Sequence, residues 1–165
     1  MEKIKIYLDT NTVIDFFINQ AKAIRSGERF TMPKKLEFFI DNLDKLYFET
    51  SVITQGEIVR EMVSGYQLPE KDITDLWSEF IKTLNCKFIP KIEIDERFAQ
   101  LPLKIKLKLR TLMNFQHLFV AMNEGAYLVS GDGDLIKVVR ENKIYSKVLS
   151  YIELRKIIAS FYQGP

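Results

Sequence analysis

Asp9 closes an apolar run, Ile4 to Leu8, and apolar residues at helical spacing resume at Val13. Asp132 and Asp134 follow a second such run that ends at Val129, and Glu57 lies two turns into a helical pattern that opens at Ser51. Asn114 sits on a helical stretch ahead of that second run. No Lys or Arg interrupts Asp9–Asn11 or Gly131–Asp134. Carboxylates gathered without a cation raise one another's pKa. Hard oxygen donors favour Mg²⁺ or Mn²⁺, which keep several waters. Such an ion polarises a phosphate and generates hydroxide from water, so the chemistry indicated is metal-assisted phosphodiester hydrolysis. Each acid also has a plain structural alternative. Asp9 can N-cap a helix, Asp132 and Asp134 can be turn and cap residues, and Glu57 can be a solvated helix residue.

The elements that must position these residues can be read from the hydrophobic period. Strands are predicted over 3–8, 46–50, 86–89, 126–129 and 143–149. Helices are predicted over 10–19, 36–43, 51–63 with Ser51 as N-cap, 69–84, 94–101, most of 103–124 with Gly125 as C-cap, about 135–142 and 151–162. The polar segment 20–35, with Gly27 and Pro33, reads as a loop. Strands alternating with helices predict an α/β fold with a parallel sheet. In such sheets ligands bind beyond the C-terminal strand ends, which is where the acids fall.

Composition sets the class. The chain has 165 residues, 47% hydrophobic and 28% charged, and twelve Phe with seven Tyr argue against disorder. This length predicts one domain, 1–165. The net charge of +2 does not announce a nucleic-acid binder, so any basic surface must be local. The lone Cys86 excludes an internal disulfide and a Cys-based zinc site, and fits a reduced, cytoplasmic setting. No apolar run reaches spanning length, so no membrane partner is expected. The charges in Met-Glu-Lys-Ile-Lys-Ile argue against a signal peptide.

Three stretches together resemble the PIN-domain nucleases, which include toxins of toxin–antitoxin pairs. "YLDTNTVID" (7–15) resembles the opening strand-Asp motif of that family. "SVITQGEIVRE" (51–61) resembles its Ser-hydrophobic-hydrophobic-Thr-x-x-Glu motif. "NFQHLFVAMNEGAYLVSGDGDLIKV" (114–138) resembles its third segment, a helix, an apolar strand, then Ser/Thr-x-Asp. The resemblance implies a three-layer sandwich with four to five parallel strands, an acidic pocket for Mg²⁺ or Mn²⁺, and cleavage of RNA. It places Asp9, Glu57 and Asp132 on the metal-site acids, Asp134 on the accessory acid, and Asn11 and Ser130 on supporting polar positions. Asn114 stands where the family has a leading Asp, which keeps an oxygen donor and loses a charge. An alternative register puts His117 at that position. An antitoxin protein and a second copy of the chain are the protein partners implied.

His117 is the sole histidine, read either as a ligand or proton shuttle near the acids or as a packed helix residue. RNA needs positive charge near the acids. Arg110, one turn before Asn114, is the predicted phosphate contact. Lys22, Arg25 and Arg29 lie in the polar segment read as a loop, which either closes over substrate or is only a surface excursion. Two other classes remain. "LDTNTV" and "GDGD" echo haloacid-dehalogenase-like phosphatases, although Asn11 then replaces the general acid and Glu57 has no role. The second is a catalytically weak PIN-like module that binds RNA or protein, which the neutral Asn114 favours.

Overall fold

The computed structural model of the chain describes residues 3–92, 100, 101, 105 and 112–160. Within them lie five strands: β1 (Ile4–Leu8), β2 (Leu46–Ser51), β3 (Lys87–Ile89), β4 (Tyr127–Val129) and β5 (Val148–Leu149). Seven helices are described: α1 (Thr10–Ser26), α2 (Lys34–Asp41), α3 (Val52–Tyr66), α4 (Glu70–Thr83), α5 (Leu112–Glu124), α6 (Gly133–Glu141) and α7 (Tyr151–Ser160). The strands form one all-parallel sheet in the order β3-β2-β1-β4-β5.

A parallel sheet must be covered on both faces, and side chains alternate between them. Ile6 and Leu8 of β1 join Leu46, Phe48 and Val129 in one core, covered chiefly by α1 to α4 and α7. Tyr7 turns the other way and joins Leu128 and Val148 in a second core, covered by α5 and α6. The result is the expected α/β three-layer sandwich. The register pairs Tyr7 with Glu49 on one side and Leu8 with Val129 on the other. β1 therefore has β2 and β4 as neighbours, and the strand order reverses beside it. That reversal is where open α/β sheets leave a crevice for ligands.

Two predicted boundaries are corrected. α1 runs to Ser26, so 20–26 is helix and not loop. The polar residues there form its outer face, whereas Ala21 is fully buried. The helix stops at Gly27, whose φ of 69° is left-handed and whose N–H reaches Ala23 O at 3.0 Å. The fifth strand shrinks from 143–149 to Val148–Leu149. Lys143 takes a φ of 51°, and the Tyr145 hydroxyl donates to Ala126 O at 2.6 Å, so this segment is anchored by a side chain and not by a ladder. The helix predicted over 94–101 and the candidate Arg110 lie outside the described residues, Gln100 and Leu101 aside. Among the described residues no helix is long and apolar enough to cross a membrane.

One charge is set deep in the second face. The Glu49 side chain is fully buried, with Oε1 3.2 Å from Lys87 Nζ and 3.8 Å from Lys5 Nζ. Its Oε2 has no hydrogen-bond partner. Burial raises the Glu49 pKa despite both lysines.

Candidate functional site

Asp9 caps α1 and also lines a cavity. Its Oδ1 accepts the Thr12 N–H at 2.9 Å, which starts α1. The Thr12 hydroxyl lies 2.7 Å from the same oxygen and 2.8 Å from Val129 O, so it ties the cap to β4. Oδ2 accepts from Ser130 Oγ at 2.5 Å. Ser130 in turn accepts the Asp132 N–H at 3.1 Å. Burial pushes the Asp9 pKa up, against the pull of His117, Ser130 and Thr12.

Glu57 reaches the same place from α3, whose start is fixed by Ser51 accepting the Ile53 N–H at 3.3 Å. Its Oε2 accepts from Thr10 Oγ1 and stands 2.9 Å from His117 Nε2. Burial alone would raise its pKa; the bonds from His117 and Thr10 outweigh that and lower it. The other ring nitrogen, Nδ1, is 2.9 Å from Tyr7 Oη, which is 2.7 Å from Ser51 Oγ. His117 is buried, as a packed helix residue would be, and it contacts Glu57. Burial raises the Tyr7 pKa, keeping the phenol protonated.

Asp132 caps α6, with Oδ1 accepting the Leu135 N–H at 3.0 Å. Its Oδ2 accepts from Asn114 Nδ2 at 3.2 Å, which links α5 to the turn after β4. Asp9, Asn11, Glu57, Asn114 and His117 all line one cavity of about 240 Å³, together with the exposed Arg60. Asp132, bonded to Asn114, is not among the residues lining the cavity, and neither is Asp134. Tyr7, Thr10, Thr12 and Arg60 were absent from the predicted site. A tyrosine hydroxyl between Ile6 and Leu8 of a buried strand is the available signal for Tyr7, because a buried phenol needs a partner. Arg60 was signalled by its place three residues after Glu57 on the same helix.

The donor types fit a hard divalent ion, and two carboxylates with water can hold Mg²⁺. Asp9 and Glu57 are the two that face the cavity. Among the described residues no three Asp, Glu, His or Cys side chains are grouped to hold a metal.

No protein-family model matches the chain, and no curated protein does. Its fold is similar to that in the crystal structure of PAE2754 from Pyrobaculum aerophilum, with a TM-score of 0.55 and 14% identity over 95% of this chain and 96% of that one. At that identity the likeness extends to the fold alone.

Proposed function

We propose that the protein is a divalent-metal-dependent endoribonuclease of the PIN type. One observation carries the reading: Asp9, just past β1, and Glu57, on the helix that follows β2, line one cavity. These two carboxylates would hold Mg²⁺ or Mn²⁺. When bound, the ion supplies a polarised phosphate oxygen and a water of lowered pKa. Thr12 and Ser130 fix the rotamer of Asp9. His117 orients Glu57 and holds a proton at the cavity wall. Asn114, tethered by Asp132, offers the cavity an amide in place of a charge. Incubation of the purified chain with a short RNA and Mn²⁺, against a chelated control, tests the proposal. Metal-dependent cleavage supports it, and intact RNA under both conditions contradicts it.

A second reading is a PIN-like module that binds RNA or protein without cutting. The contact of His117 with Glu57 favours it, because that oxygen is already occupied by the chain itself. RNA retained but uncut with Mn²⁺ would select this reading. A phosphatase of the haloacid-dehalogenase type is disfavoured, because Glu57, which has no role there, faces the cavity beside Asp9. Cytoplasmic RNA is the substrate proposed, either for a toxin with its antitoxin or for an RNA-processing enzyme. The exposed Val52, Val59 and Val63 on α3 support a protein partner, an antitoxin or a second copy. A small neighbouring gene for a DNA-binding protein would mark the toxin case.

A further inference from the structure

We infer that a single RNA strand leaves the acid cavity along α1, its phosphates held by Arg60 at the mouth and by Lys22 and Arg29 at a second hollow. The inference rests on RNA being the ligand and does not require that it be cut. Ile14 and Ile18 line the acid cavity. Lys22 lines the next hollow, of about 120 Å³, together with Asn19 and Arg29. Ile14, Ile18 and Lys22 repeat every four residues, so they share one face of α1. At 1.5 Å per residue that face runs about 12 Å from Ile14 to Lys22. The two hollows are thus successive stations on one helix.

The second hollow is held in shape. Asn19 Nδ2 donates to Thr31 O at 2.9 Å, which ties the segment carrying Arg29 back onto α1. Arg60 projects from α3, which packs on α1. Among the described residues Lys22, Arg29 and Arg60 are exposed and form no ion pair. Their neighbour Arg25 differs, since its guanidinium donates to Tyr66 O at 2.9 Å. Glu28 and Glu61 line the same hollows, so the cations are interspersed with acids. Spaced cations over an apolar floor of Ile14 and Ile18 suit the spaced phosphates and bases of a single strand. A dense anionic surface would need a continuous basic patch.

The test is binding of a short, mixed-sequence single-stranded RNA to the full chain, read by fluorescence anisotropy in chelator over a range of salt. Arg60→Ala, Lys22→Ala and Arg29→Ala should each weaken binding severalfold and flatten the log–log salt dependence by about 0.7. Lys137→Ala, on α6 across the sheet, removes the same charge and should change neither. Unchanged slopes in the three variants, an equal change in Lys137→Ala, or no binding by the native chain overturns the track. RNA that binds with these slopes and is never cut in Mn²⁺ supports the track and contradicts the nuclease reading.

Discussion

Ser130, at the end of β4, donates a 2.5 Å hydrogen bond to Asp9, at the end of β1. The bond crosses the point where the strand order reverses, and it joins the two segments that carry the first and third acidic motifs. It also satisfies a carboxylate oxygen that has almost no access to water, since Asp9 is 3% exposed.

Ser130→Ala leaves that oxygen without its donor. An unsatisfied buried polar group costs about 1–3 kcal/mol, and more when it is charged. Urea denaturation should show a loss of at least that size with an unchanged m-value. A loss below about 0.5 kcal/mol would mean that Asp9 is not held as described.

Tyr7→Phe removes the hydroxyl between Ser51 and His117 and keeps the ring in the core. It should cost about 1–3 kcal/mol, because two buried partners lose a bond. A double-mutant cycle with His117→Gln should return a coupling of about 0.5–3 kcal/mol, whereas additive effects would deny the contact.

Glu49→Gln should alter how stability responds to pH. Burial raises the Glu49 pKa in the folded chain, so the native state holds this proton more tightly than the unfolded one. Stability from this group is therefore full below the ordinary value of 4.5 and is lost as pH rises through the raised value. Denaturant midpoints of the native chain should show that loss, and those of Glu49→Gln should not. Parallel pH profiles for the two proteins would rule the account out.

Glu153 predicts the opposite sign. Two bonds from Arg140 and the capping bonds with Ser150 hold its pKa down at about 2. Its contribution is present above the ordinary 4.5 and is lost as pH falls towards 2. The pair is partly exposed, so the effect is small and screened by salt. In acid titrations followed by circular dichroism, Arg140→Ala should unfold at higher pH than the native chain, with the gap closing in high salt. A gap that persists in high salt would point to packing and not to charge.

Local pattern carried much of this structure. β1 and β4 could be read from short, largely apolar runs, as strands covered on both faces tend to give, and β2 from its aromatic and β-branched residues despite the buried Glu49. α1 beyond residue 19 could not, because exposed polar residues on a helix resemble a loop when Ala21 is its main buried member. Asp9 was legible from its place after a strand. Its support by Thr12 follows from helix capping, but its support by Ser130 depends on β1 pairing with β4, a long-range register. The contacts from Tyr7 to His117 and on to Glu57 join three elements, so no local window contained them. Asp132 follows β4 as expected, yet its two carboxylate oxygens are taken up by Leu135 and Asn114, and it is not among the cavity-lining residues.

The central claim is that Asp9 and Glu57 make an RNA-cutting site. The most direct measurement is the initial rate of cleavage of a short RNA in Mn²⁺ by the native chain and by Asp9→Asn, each shown to be folded. Loss of a supporting residue at a metal site costs about 10–100-fold, so loss of a ligand should exceed roughly 100-fold. Native cleavage that drops by that factor or more is the predicted result. Equal rates for the two proteins, or no cleavage by the native chain, would contradict it.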